Sequence, residues 1–143
     1  SETGRYTVSD RVLQAVQAEF SCGFCTDAQG AQTIGRTFRE NHYLLDTHTA
    51  VACTVLDAYR AGTGDQTLTV VESTASPFKF CASVLDALGV TEHAPGTGVL
   101  GQLTAKTGRP APKPLASLAG KAVRFDQVTD RGDMRAVVTE FLR

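Results

Sequence analysis

The sequence lacks an excess of either charge: 14 Lys and Arg stand against 15 Asp and Glu, a formal net charge of -1. No strong field therefore draws the chain to nucleic acid or to an anionic membrane. No apolar run is long enough to span a bilayer, and the opening residues, SETGRYTV, carry no signal-peptide pattern. No internal repeat is visible. Position 1 is Ser rather than Met, so the chain is expected to be a processed product or a piece of something longer. There are four cysteines, and their spacing does not describe a secreted disulfide scaffold, so a reducing cytoplasm is the expected setting. What is present, 42% hydrophobic and 20% charged residues over 143 positions, fits one ordinary domain spanning 1–143 and argues against global disorder.

Periodicity outlines the elements. Ser9 is placed to cap an amphipathic helix over 9–20 that repeats Val12, Leu13, Val16 and Phe20 at helical spacing. Thr26 or Asp27 opens a second helix with Ala31, Ile34 and Phe38 on one face, stopping near Asn41. Thr47 caps a third, running to Tyr59, whose many small apolar residues allow close packing on more than one side. After the turn-rich Ala61 to Asp65, the β-branched run Leu68-Thr69-Val70-Val71 favours an extended strand. Ser73 to Ser76 form a polar turn, and Pro77 starts a helix that Gly89 stops. A short helical pattern covers Val99 to Lys106, and the proline-rich Gly108 to Pro114 is a connector no helix crosses. Ala122 to Phe125 alternates like a second short strand, and a last helix opens at Thr129 or Asp130. The expected class is α/β, helix-rich, with strands at about 67–73 and 121–125 packed with five to six helices. One strand cannot make a sheet, so this arrangement is natural as a slice of a larger α/β protein.

Three short motifs weigh little. Cys22-x-x-Cys25 sits between two helices, where a redox motif would follow a strand, and no second pair completes a zinc site. A small redox protein built on these thiols is nonetheless a distinct reading. Gly96-Thr97-Gly98-Val99-Leu100-Gly101 matches G-x-G-x-x-G but lacks a preceding strand. Arg131-Gly132-Asp133 enters a helix. Cys53 and Cys81, inside helical patterns, read as small buried apolar residues.

Two turns carry more. Asp46-Thr47-His48-Thr49 stands at a helix entrance, where backbone N–H groups bind either an anion or a capping side chain. Ser73 to Ser76 lies at the carboxyl end of the expected strand, where ligands bind in open α/β sheets; Ser76 serves equally as an N-cap and Thr74 as a turn residue. Lys79 reads as a solvated charge or as a ligand.

The stretch Tyr43-Leu44-Leu45-Asp46-Thr47-His48-Thr49-Ala50-Val51-Ala52 resembles the YLxDPHTAVG segment of threonine synthases, and Ser73 to Phe80 resembles their xTAxPxKF segment. The two follow in the same order, and the likeness covers about residues 4–89, more loosely the rest. Thr47 replaces the family's usual Pro, Ser76 a frequent His, and Cys81 a frequent Pro.

The resemblance implies the carboxyl-terminal portion of a fold-type II enzyme that uses pyridoxal phosphate. Such an enzyme converts O-phospho-L-homoserine and water to L-threonine and phosphate. The family's Schiff-base lysine and phosphate loop lie upstream of the matched region, so the chain alone is expected to be inactive. The resemblance places Thr74 beside the pyridine nitrogen and Asp46 in the cofactor pocket. It makes His48 and Lys79 substrate contacts, with His48 a candidate for proton handling. Metal, membrane and nucleic acid are not expected, and the fragment is a candidate homo-oligomer. The rival reading is a free-standing, non-catalytic α/β interaction domain of the same ancestry.

Overall fold

A computed structural model of the chain describes residues 4–143. Seven α-helices follow in order: α1 Asp10–Glu19, α2 Asp27–Asn41, α3 Thr47–Thr63, α4 Cys81–Ala87, α5 Gly98–Thr107, α6 Lys113–Ala116 and α7 Met134–Phe141. Short 3-10 turns cover Pro77–Lys79, Ser117–Gly120 and Arg131–Asp133.

Local chemistry sets the helix starts. Thr26 and Gln29 form a reciprocal capping box on α2: Thr26 Oγ1 accepts from the Gln29 N–H, and Gln29 Oε1 from the Thr26 N–H at 2.8 Å. Asp46, rather than the expected Thr47, caps α3, and Thr47 is its first helical residue; Ser76 caps the Pro77 turn by accepting from the Phe78 N–H at 3.3 Å. The ends use left-handed residues: His42 (φ 53°) after α2, Gly64 (φ 73°) after α3 and Gly108 (φ 68°) after α5. Past α4, Val90 N donates to Leu85 O and Gly89 N to Asp86 O, both at 2.9 Å, which is a Schellman motif. The α3 helix therefore runs on through Gly62 beyond the expected end at Tyr59. The helix expected from Pro77 instead breaks at Phe80 (φ -128°, ψ 39°).

The core lies among α2 to α5. Ile34 from α2, Ala50 from α3, Val84 and Leu85 from α4 and Leu103 from α5 are buried together, joined by Leu45 and Phe78 from the connections. The helices α2 and α3 are cross-linked by hydroxyls: Thr54 donates to Ala50 O at 2.8 Å, so Thr33 donates to Thr54 in their 2.8 Å contact. Gly35 lets α2 press on α4; a Cβ there would lie 2.7 Å from Ala87 O. Arg109 Nη2 donates to His42 O at 2.9 Å and ties the end of α5 to the end of α2. By contrast, α1 and α7 bury no residue.

The expected α/β class is overturned. Among the described residues there is no strand, and the architecture is all helical. Residues 67–73 and 121–125 form no ladder. Leu68 is 93% exposed and Val70 86%, so the β-branched run finds neither a pairing neighbour nor a layer to cover it. Propensity alone favours extended backbone; a strand needs hydrogen-bonded partners. The connector from Gly108 also holds structure the sequence reading missed. It turns into α6 at Lys113, with Pro114 in the first helical turn, where a missing N–H costs nothing.

Candidate functional site

The two turns singled out in the sequence meet on one side of the helical body. The His48 and Phe80 rings lie 5.0 Å apart, tilted by 52°. Beneath them, Asp46, Thr49 and Ser73 share a polar cluster. Ser73 Oγ is 3.1 Å from Thr49 Oγ1 and 3.5 Å from Asp46 Oδ2.

Asp46 is only 1% exposed, and its own helix engages both carboxylate oxygens. Oδ1 accepts from the backbone N–H of His48 at 2.9 Å and of Thr49 at 3.2 Å; Oδ2 accepts from the Thr49 hydroxyl. Burial pushes this carboxyl up, but the Thr49 hydroxyl, the two N–H groups and the nearby His48 outweigh it and hold it below the ordinary carboxylate range. The α3 entrance is thus supplied with its own negative charge. A second anion there would meet Asp46 rather than free N–H groups, so capping decides between the two readings left open by the sequence.

His48 stands above this cap with its side chain 68% exposed and Nδ1 3.5 Å from Asp46 Oδ1. Thr47 Oγ1 is 3.4 Å from the same nitrogen. Thr74 is exposed, one residue from Ser73, and its hydroxyl makes no hydrogen bond among the described residues. Lys79 ends the 3-10 turn, exposed and without an ion pair among the described residues. The departures from the family pattern have local uses. Ser76 caps that turn, and the buried Cys81 lies with Sγ 3.2 Å from Phe78 O. Sequence reasoning placed Thr49 and Ser73 in the two turns but gave neither a role, because only the fold shows that they meet.

The other motifs stand apart. Cys22 is exposed and Cys25 half-buried, and both are free thiols. Burial pushes the half-buried Cys53 thiol and the buried Cys81 thiol up, in keeping with inert packing groups. Gly96 (φ 56°) makes a turn, while Gly98 and Gly101 lie within α5. No described helix is long and apolar enough to cross a membrane. The described residues hold no cluster of metal-ligating side chains.

Pyridoxal phosphate, the cofactor implied by the resemblance, fits this site in part. The free Thr74 hydroxyl suits a ring nitrogen. The α3 entrance, already filled by Asp46, does not suit its phosphate.

Comparison with known proteins gives the family. The family described as "Threonine synthase, C-terminal" matches residues 49–139. Thr74 and Lys79 fall inside that span; Asp46 and His48 lie just before it. The mouse protein "Threonine synthase-like 1" is 33% identical over 82 residues, 57% of this chain and 10% of its own length. The human protein of the same name is 30% identical over 88 residues, 61% of this chain and 11% of its own length. The chain thus spans about a tenth of the curated relatives it matches. With most of its length inside the matched span, the chain belongs to the threonine synthase C-terminal family.

Proposed function

We propose that the chain is the carboxyl-terminal part of a threonine synthase, and that its two turns form one wall of the pocket holding pyridoxal phosphate and O-phospho-L-homoserine. The observation that carries this reading is the junction of the two turns through the His48–Phe80 ring contact and the Asp46–Thr49–Ser73 cluster. The family span, which contains Thr74 and Lys79, supports it.

Bound pyridoxal phosphate supplies an electron sink for proton removal and phosphate loss. Thr74 offers a neutral hydroxyl to its ring nitrogen. A hydroxyl donates a hydrogen bond without forcing that nitrogen to be protonated, as a carboxylate would, and so moderates the sink. His48, exposed above a buried carboxylate, is placed to orient substrate and to hold or pass a proton at its Nε2. Lys79 offers an exposed ammonium to the substrate's anionic group. Asp46 serves the pocket from beneath, by fixing the helix entrance that presents His48.

The residues that would hold the cofactor covalently and bind its phosphate belong, on this reading, to the rest of the parent protein. Phosphate release from O-phospho-L-homoserine tests it. The complete parent is expected to release phosphate and bind pyridoxal phosphate, and this chain alone to do neither. A complete parent that binds no pyridoxal phosphate would end the assignment.

A further inference from the structure

Ser73 carries a hydroxyl that the proposed chemistry does not use. Ser73 neither heads a helix nor faces the core. It is an exposed residue whose Oγ nonetheless reaches back to two buried groups, Thr49 Oγ1 at 3.1 Å and Asp46 Oδ2 at 3.5 Å. Ser73 Oγ donates to Asp46 Oδ2 at 3.5 Å and accepts from the Thr49 hydroxyl at 3.1 Å, and that hydroxyl is also the donor to Asp46 Oδ2. Ser73, Thr49 and Asp46 thus bond one another in a triangle, and its carboxylate also holds N–H groups in the first turn of α3. The bonds onto the carboxylate are charge-assisted and stronger than the neutral one between the two hydroxyls.

Upstream, Arg60 Nη2 of α3 donates to Thr67 O at 3.1 Å and to Thr69 Oγ1 at 3.2 Å. Leu68 and Val70 are almost fully exposed, and Thr74 makes no hydrogen bond among the described residues. Downstream, the chain is fixed again only at the capped Pro77 turn and the buried Phe78. Among the described residues, Ser73 is therefore the side-chain tether between Thr69 and the Pro77 turn, next to Thr74.

We propose that Ser73 is a positioning residue: through Thr49 and Asp46 it locks the Thr74 turn to the capped end of α3, so that Thr74 and His48 keep one relative orientation. It touches neither cofactor nor substrate and acts through Thr74. This inference rests on the proposed function for its consequence, while the tether itself stands on the geometry above.

The test uses the complete protein carrying Ser73→Ala, Ser73→Thr, Thr74→Ala and the double variant Ser73→Ala with Thr74→Ala. Hydrogen exchange is read first. The amides of Phe78, Lys79 and Phe80, hydrogen-bonded within the adjoining turn, are expected to exchange about tenfold faster in Ser73→Ala, the scale of one lost hydrogen bond, and to recover in Ser73→Thr. Unchanged exchange in Ser73→Ala would overturn the tether. The visible absorption of bound pyridoxal phosphate is read second. Ser73→Ala is expected to shift it in the same direction as Thr74→Ala, with no further shift in the double variant. Additive shifts would show that Ser73 does not act through Thr74, and would overturn the positioning role. A wild-type protein that binds no pyridoxal phosphate would remove the proposed function alone, and the exchange result would then decide the tether.

Discussion

Asp46 concentrates more of the structure than any other single residue at the site. It caps α3, anchors Thr49 and, through it, Ser73, and lies beneath His48. Asp46→Ala removes the cap and strands a buried hydroxyl, and is expected to cost about 2 kcal/mol in a urea unfolding titration. The pH dependence has a definite sign. The folded carboxyl titrates below its ordinary value, so its stabilisation is complete above the unfolded pKa of about 4 and fades as pH falls through the lower folded value. The gap between wild type and Asp46→Asn is therefore expected to narrow in acid; a gap that widened would contradict the assignment. The thiols give a second expectation at this scale. Cys22, exposed, is expected to react first with a thiol reagent, and Cys81, buried and with its thiol pushed up, only on unfolding. At this scale the sequence was informative about residue types. The Asp, His and Thr stood out because helix entrances have local signatures. Thr49 and Ser73 were named only as members of their turns, because their contact joins positions distant in the chain.

Helix starts were legible for the same reason. A capping box, an Asp cap and a Ser-Pro entrance are written within a few residues, and α2, α3 and the Pro77 turn begin where those signs stand. Helix ends were less so: α3 passes through Gly62 and stops only where Gly64 takes a left-handed turn. The strands could not be read correctly from propensity, since Leu68 to Val71 favours extended backbone but the ladder depends on a partner elsewhere. Packing between elements was equally hidden. Nothing around Gly35 in the sequence announces that its Cα faces the Ala87 carbonyl of α4. Gly35→Ala sets a methyl against backbone rather than a yielding side chain, and is expected to cost about 1–3 kcal/mol, visible as a lower Tm. An unchanged Tm would show that α2 and α4 separate freely.

Across the whole molecule, a helical core of α2 to α5 carries ends that bury little. The apolar stripe of α1, with Val12, Leu13 and Val16, is exposed together with Phe20 just past its end, as are Leu68, Val70, Phe125, Val128 and Phe141. Apolar surface on this scale draws partners. The isolated chain is expected to self-associate with rising concentration in sedimentation velocity, and a monomer at every concentration would contradict that expectation. The same surface suits a chain that spans about a tenth of its relatives. It also explains why the α/β expectation failed here: the run that favours a strand is present, and no strand among the described residues pairs with it. On the proposed function, this chain brings a neutral hydroxyl, Thr74, to the cofactor of a threonine synthase. The visible absorption spectrum of pyridoxal phosphate in the complete protein, wild type against Thr74→Ala, tests it most directly. A shifted band with reduced phosphate release is the expected result; an identical band with unchanged turnover would contradict the account.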